Sequence, residues 1–214
     1  GMASLQSSGI VGASAIEVSG SAGGWPQANP LSIPMVGPVR YAGTVTAIDG
    51  DATMIQDTAT IGLPAEFFGG SGACSVEFEG ELGMDIARYD AASGTFTLTG
   101  FLPQRIQPGD AFCVRRNRTL AEVFGTQNEA GLQAGLSPSL ADNLFAVNLN
   151  ASGVIRCYYR SGSDLNGWFT VAGFPADNLT ISPGQNLTLI RRSPAATVLY
   201  FHGRLSGEGS YLVW

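Results

Sequence analysis

Short runs in which apolar and polar residues alternate, rich in Val, Ile, Thr and aromatic side chains, follow one another along most of the 214-residue chain. Glycine (29 residues) and proline (11 residues) separate these runs at short intervals. A two-residue alternation gives a strand one apolar face, and Gly and Pro mark the turns between strands. The pattern therefore predicts an all-β fold with strands within residues 43–48, 51–57, 73–81, 84–90, 94–101, 110–116, 143–149, 153–160, 167–174, 185–192 and 196–205.

The strongest local signal is the Asp49-Gly50 pair between two of these runs. Asp-Gly favours a two-residue type I′ turn, because both central residues must accept positive φ. We therefore expect a hairpin that turns at Asp49 and Gly50. The carboxylates of Asp49 and Asp51 also suggest a calcium site, but the turn explains them without a metal.

One segment has a helical pattern. Thr119 is a suitable N-cap, Glu122 three positions later completes a capping box, and Gly125 suits the position after the last helical residue. A short helix is expected within residues 118–125. Pro138 after Ser137 predicts a second helical turn, because proline is favoured at the first helical position.

Two stretches resemble each other: TGFLPQRIQPGDAFCVRR at 99–116 and AGFPADNLTISPGQNLTLIRR at 172–192. Both contain Gly-Phe, a polar loop, a Pro-Gly turn, an apolar strand and Arg-Arg. This internal similarity predicts two related small antiparallel β-barrel or β-sandwich units with one short connecting helix. We expect an N-terminal strand and flexible segment over residues 1–30, a first β unit over 31–125, a linker with a helical turn over 126–142, and a second β unit over 143–214.

The composition narrows the possible partners. Hydrophobic residues make up 44% of the chain and charged residues only 13%; all 11 basic residues are arginine, and the net charge is −6. A surface of uncharged polar residues is typical of secreted proteins, and the negative charge disfavours nucleic acid. No apolar run is long enough to cross a membrane as a helix. The three cysteines have neither an even count nor a metal-binding spacing.

Glu77, Glu79 and Glu81 alternate along the predicted strand at 73–81, and Asp85 follows. Paired carboxylates are needed for glycoside hydrolysis, and clustered ones bind calcium, so Glu77, Glu79 and Glu81 are candidate calcium ligands. The simpler interpretation is a solvated strand face. His202 is the only histidine and no Gly-x-Ser-x-Gly motif accompanies it. We therefore expect no catalytic residue, no enzyme activity and no cofactor.

Tyr158, Tyr159 and Trp168 lie on two neighbouring predicted strands. Aromatic faces near polar side chains hold sugars in β-sandwich proteins, which makes these three residues candidates for carbohydrate binding. Adjacent residues of a strand point to opposite faces, so the two tyrosines cannot share a platform. Core packing is the simpler interpretation of this aromatic pattern.

Several motifs have a counterpart in a known family. TLAEVFGTQNEAGLQAG at 119–135, YYRSG followed by GW, and ISPGQNLTLIRR at 181–192 resemble an uncharacterised family of exported β-rich bacterial proteins, known mainly from Verrucomicrobia and their relatives. The similarity extends over most of the chain from about Leu31. Arg118 replaces the family's tryptophan, and Ser182-Pro183 replaces its double proline. The resemblance implies export to the periplasm, the outer surface or the medium, but it implies no catalytic residue or ligand.

Together these observations predict a non-catalytic exported structural or binding module of the bacterial envelope or cell surface. Its partner would be a protein or a polysaccharide at the cell surface. A phage-like virion or tail assembly protein is one alternative, because YDAASGTFTL and QPGDAFCV are typical of small-barrel structural proteins. A carbohydrate-binding module is the other alternative.

Overall fold

The fold is built almost entirely from β-strands, which confirms the all-β prediction. The computed structural model describes residues 11–33, 35–147, 153–162 and 165–205. Each segment predicted from alternation contains a strand. The strands are β1 (Val11–Val18), β2 (Gln27–Ser32), β3 (Met35–Val36), β4 (Val39–Thr44), β5 (Ala47–Ile48), β6 (Met54–Gln56), β7 (Cys74–Phe78), β8 (Met84–Asp90), β9 (Thr95–Leu98), β10 (Ala111–Arg116), β11 (Arg118–Thr119), β12 (Asn143–Val147), β13 (Val154–Arg160), β14 (Gly167–Thr170), β15 (Thr180–Ile181), β16 (Asn186–Arg191) and β17 (Thr197–Leu205).

The chain forms two compact units, one of which interrupts the other in sequence. The inserted unit contains Met35–Asn117 together with the described residues at the two chain ends. The host unit contains Ala13–Pro34 and Arg118–His202. The expected end of the first β unit, at residue 125, therefore differs from the observed boundary after Asn117. Residues 27–32, expected within or next to a flexible segment, instead form β2, because they pair along their whole length with β16.

The inserted unit is a strongly curled antiparallel sheet with the strand order β4-β10-β7-β8-β9-β6-β5. Its two outer strands, β4 and β5, are successive parts of one chain segment. The residues between them complete the curl, because Val45 N donates to Asp110 O at 2.9 Å and Thr46 N donates to Gln56 O at 2.7 Å. Such closure removes the free edges that open sheets expose.

An aromatic cluster fills the inserted unit. Phe68 enters the interior from the loop before β7, and its ring contacts four others, with centroid distances of 4.7 Å to Tyr89, 4.9 Å to Phe67 and Phe96, and 5.9 Å to Tyr41. The contacts with Tyr41, Phe67, Tyr89 and Phe96 are edge-to-face, the geometry that aromatic pairs favour. Tyr41 also donates to the buried carboxylate of Asp57 at 2.7 Å. The loop that carries Phe68 is thereby packed against the strands of the inserted unit.

The host unit contains a second antiparallel sheet, ordered β2-β16-β12-β13-β14. This order matches that of β4-β10-β7-β8-β9 in the inserted unit. One face is largely buried and forms the core face; it includes Leu144, Cys157, Trp168, Leu187 and Leu189. The opposite face, called here the outer face, includes Tyr158 and Phe169 and is exposed in part.

The two similar sequence stretches do not superimpose residue by residue on the two sheets. Phe112 and Val114 point to the core of the inserted unit, whereas Leu187 and Leu189 do so in the host unit. The Arg-Arg pairs are therefore displaced by one position relative to the core. Consequently Arg115 lies on the outer face of its sheet, while Arg191 lies on the core face. A common origin of the two units stays a prediction.

The predicted helix is confirmed, a turn is present at Ser137, and the type predicted for the turn at Asp49 is wrong. Helix α1 (Leu120–Phe124) has both capping-box hydrogen bonds: Glu122 N donates to Thr119 Oγ1, and Thr119 N donates to the Glu122 carboxylate. At Ser137 the chain makes a single hydrogen-bonded turn, because Leu140 N donates to Ser137 O at 3.0 Å and no helix follows.

The hairpin at Asp49 is longer than a type I′ turn. Its positive φ is at Ala52 (54°). The Asp49 carboxylate accepts hydrogen bonds from Thr53 N at 2.8 Å and from Met54 N at 2.6 Å. These bonds extend the loop to the start of β6 and explain the aspartate as a turn residue.

Candidate functional site

The three glutamates proposed as calcium ligands do not share a strand face. Strand β7 ends at Phe78, because Gly80 takes a positive φ of 74° and Glu81 N closes a turn on Phe78 O. Glu77 is the only one of the three that lies in the strand. The alternation of glutamates in the sequence extends past the end of the strand and across a turn. The prediction that they share a face is therefore wrong.

Each of these carboxylates has a separate environment. Glu77 forms an ion pair with the buried guanidinium of Arg115, whereas Glu81 pairs with Arg105 at 2.7 Å. Asp85 is buried and accepts a hydrogen bond from Asn117 Nδ2 at 2.7 Å. Among the described residues, no three His, Cys, Asp or Glu side chains come close enough to hold a metal ion. The geometry therefore does not support the calcium site.

The three aromatic residues proposed to bind carbohydrate are buried. Tyr158 and Tyr159 are each 6% exposed and Trp168 is 1% exposed. Tyr159 and Trp168 face the core, where their ring centroids lie 5.4 Å apart, while Tyr158 is on the outer face. Trp168 Nε1 donates to Gly125 O at 2.8 Å, which satisfies its only polar group. These residues therefore form no platform for a sugar: the carbohydrate alternative is wrong for them, and their burial agrees with the simpler interpretation, core packing.

All three cysteines are free. Cys74 lies on the core face of its strand, and Cys113 lies beside Glu77 on the other face of the sheet, so these two cannot pair. Burial raises the pKa of the Cys113 thiol to about 11, with a contribution from the Glu77 charge. Burial alone raises the pKa of the Cys157 thiol to about 12.

These thiols should react slowly with alkylating agents. An ordinary thiol has a pKa near 8.5, and the thiolate is the reactive form. At pH 8 we expect iodoacetamide to modify Cys113 in the folded protein on the order of a hundredfold more slowly than in the denatured chain. Mass spectrometry after short pulses from pH 7 to 11 measures the profile. A midpoint near 8.5 for Cys113 in the folded protein would contradict the assignment.

The outer face of the host sheet combines arginines with aromatic rings. We call Arg156, Arg160 and Arg192, with the rings of Phe145 and Phe169, the arginine face. Arg156 Cζ lies 5.5 Å from the centre of the Phe145 ring, and Arg160 Cζ lies 5.7 Å from that of Phe169. A guanidinium over a ring is attracted by the ring quadrupole. These contacts restrict the movement of the Arg156 and Arg160 side chains.

Two of the three arginines of this face donate within the protein. Arg156 Nε donates to Asn143 Oδ1 at 2.9 Å, and Arg192 Nε donates to Ala141 O at 3.0 Å. Arg160 Nε is buried without an acceptor among the described residues. Each guanidinium has five N–H donors, and the Nη groups of these three make no hydrogen bond within the described ranges. No ion pair joins these three arginines to a carboxylate within the described ranges.

A segment of the chain lies over part of this face. Ala141 packs against Tyr158 and Phe169, and this explains why these two rings are buried although they are on the outer side. The neighbouring Asp142 is acidic, but its side chain is fully buried and bound to Arg191 at 2.7 Å. Its carboxylate is therefore paired with Arg191 on the core face and not with a guanidinium of the arginine face.

The charge of the chain is distributed unevenly between the two units. Met35–Asn117 has ten Asp and Glu residues against five arginines, a balance of −5. The two segments of the host unit have six acidic residues against five arginines, a balance of −1. The arginine face thus belongs to the less acidic unit.

Sequence reasoning missed the arginine face. Arg156, Tyr158 and Arg160 alternate along one strand, which was a usable signal for a shared side. Phe145 and Arg192 reach the same face only through the pairing of β12 with β13 and β16, and pairing partners cannot be obtained from alternation.

The only α-helix among the described residues has five residues and is too short to cross a membrane. Comparison with protein-family models found no match, and comparisons with curated proteins and with solved structures found none.

Proposed function

We propose that this protein is a non-catalytic, exported binding module of the bacterial envelope or cell surface, and that the arginine face is its contact surface. The observation that carries the proposal is the set of three half-buried arginines on one sheet face, two of them over aromatic rings, whose Nη groups make no hydrogen bond within the described residues. Donors whose movement is already restricted lose little freedom on binding, which favours affinity. Export is supported by the charge-poor, lysine-free composition and by the motif resemblance.

The first experiment measures co-sedimentation of the purified protein with two insoluble probes, peptidoglycan sacculi and outer-membrane vesicles. The test variant replaces Arg156, Arg160 and Arg192 with Gln. The control variant replaces Arg40, Arg88 and Arg105 with Gln; these are exposed arginines of the inserted unit, so the net charge of the two variants is equal. We expect wild type and control to sediment with at least one probe, and the test variant to stay in the supernatant.

Two results would overturn the proposal. If the wild type sediments with neither probe, the envelope role is wrong. If both triple variants lose binding equally, attraction depends on total charge and the arginine face is not the contact surface. Thermal unfolding of each variant verifies that loss of binding does not reflect loss of the fold.

A further inference from the structure

We infer that Trp25 forms a second binding site of the host unit, separate from the arginine face, and that its indole stacks on the sugar rings of an uncharged polysaccharide. The inference goes beyond the proposed function and does not depend on it. Three features of the described residues support it: an uncovered indole, a constrained turn that presents it, and an uncharged edge strand that follows it.

The ring of Trp25 is exposed and uncovered. Its side chain is 78% exposed, the largest fraction of any large apolar side chain in the described ranges. An arginine guanidinium lies over each of the rings of Phe67, Phe145 and Phe169, whereas no guanidinium and no other ring covers Trp25 within the same ranges. Sugar rings stack the apolar C–H groups of one face on an open aromatic ring of this kind.

A two-residue turn presents this indole. Ala22 N donates to Trp25 O at 3.1 Å, and Trp25 N donates to Ala22 O at 3.0 Å. Between them Gly23 and Gly24 have φ values of 59° and 79°, and a type I′ turn requires positive φ at both positions. Pro26 restricts Trp25 further, because the residue before a proline is confined to extended conformations. Stacking on this indole therefore costs little backbone ordering.

The base of the turn is bound to the rest of the host unit. Ser21 N donates to Ser193 O at 2.7 Å. The side-chain amide of Asn29 accepts from Ser19 N at 2.8 Å and donates to Ser19 O at 3.1 Å. The position of Trp25 is therefore set by the fold of the host unit before a ligand binds.

The segments around Trp25 are uncharged. Residues 18–39 contain no acidic or basic residue, and neither do residues 193–201, which adjoin the turn through Ser193. These segments offer no group that pairs with a phosphate or a carboxylate, and the net charge of −6 repels polyanions. A lipid bilayer is also disfavoured, because even one myristoyl chain gives only marginal membrane binding and an indole buries less apolar surface. The remaining match is a neutral ligand with flat apolar faces.

The edge strand after Trp25 favours a polysaccharide over a peptide. Strand β2 is the last of its sheet and pairs with β16 alone among the described strands, so every second residue directs its backbone N–H and C=O away from β16. A peptide added there as a further strand requires a regular ladder, which Pro30 interrupts because it has no N–H. Sugar hydroxyl groups both donate and accept hydrogen bonds and require no strand register.

The test is affinity electrophoresis of the full-length protein in native gels that contain hydroxyethyl cellulose, galactomannan or soluble starch, three uncharged polysaccharides. The test variant is Trp25→Ala, and Trp25→Tyr keeps an aromatic ring at the same position. Phe174→Ala is the matched control, because Phe174 is another aromatic residue of the host unit and is 69% exposed. Sedimentation with phosphatidylcholine vesicles tests lipid as the ligand of the indole.

We expect at least one of the three polysaccharides to retard the wild type, and Trp25→Ala to raise the apparent dissociation constant at least about tenfold. Trp25→Tyr should retain part of the affinity, and Phe174→Ala should bind as the wild type does. Retardation by none of the polysaccharides, an equal loss in Phe174→Ala, or vesicle binding that depends on Trp25 would each overturn the inference. None of these variants changes an arginine, so the result is separate from that of the arginine-face triple.

Discussion

Replacing Asp142 with Asn is expected to lower the free energy of unfolding by about 3–5 kcal/mol. Asp142 is fully buried and accepts hydrogen bonds from Arg191 Nη1 at 2.7 Å, Arg192 N at 2.6 Å and Gln133 N at 2.7 Å. Asparagine has nearly the same shape but no charge, so the buried guanidinium of Arg191 loses its counter-ion. Breaking a buried pair is costly because one charge remains in a medium of low polarity.

Chemical denaturation measures this change, and Glu81→Gln is the matched control. Glu81 pairs with Arg105 at the same distance of 2.7 Å, but that pair is exposed. Exposed pairs contribute about 0–1 kcal/mol, so the control should be close to wild type. Equal, small effects of both substitutions would mean that the Asp142–Arg191 pair is solvated, contrary to its burial.

Replacing Trp168 with Ala is expected to destabilise the host unit by about 3–5 kcal/mol. Its ring lies 5.8 Å from Phe124 and 5.4 Å from Tyr159, so truncation leaves a cavity between α1 and the sheet. The substitution also removes the hydrogen bond to Gly125 O. Trp168→Phe should cost less, because most of the cavity is filled and only the N–H is lost.

Trp25→Ala is the control for this second prediction. Trp25 is 78% exposed, and exposed substitutions usually change stability by less than about 0.5 kcal/mol. Hydrogen exchange of the β13 and β14 amides measures the effect within the host unit itself. If Trp168→Ala left this protection unchanged and only weakened binding to a glycan, the placement of Trp168 in the core would be wrong.

Local sequence signals predicted the local parts of the fold. Alternation located the strands, and Thr119 with Glu122 located the helix start, because these features depend on neighbours within a few residues. Strand β2 was missed because QANPLS contains a proline and little alternation, and it is held by pairing with β16 at the other end of the host unit. Whether this segment forms a strand therefore depends on a pairing partner that is distant in sequence.

The residues of the candidate site also divide into those whose placement depends on neighbours in sequence and those whose placement depends on distant contacts. The strand pattern indicated core packing of Trp168, but not that Phe124 of α1 packs against its ring. The prediction that the glutamates share a strand face is wrong because Gly80 takes a positive φ and turns the chain after Phe78. That glycine was visible in the sequence, and giving it the weight of a turn would have separated Glu77 from Glu79 and Glu81.

The insertion of one unit into the other sets the order in which the host sheet can form. Leu31 of β2 pairs with Leu187 of β16, so about 150 residues must be made after β2 before its partner exists. At roughly 5–20 residues per second this takes on the order of 10–30 s. During that interval β2 is an unpaired strand that another nascent chain can meet. Pro30 lacks an N–H, so β2 offers one hydrogen-bond donor fewer to such a partner.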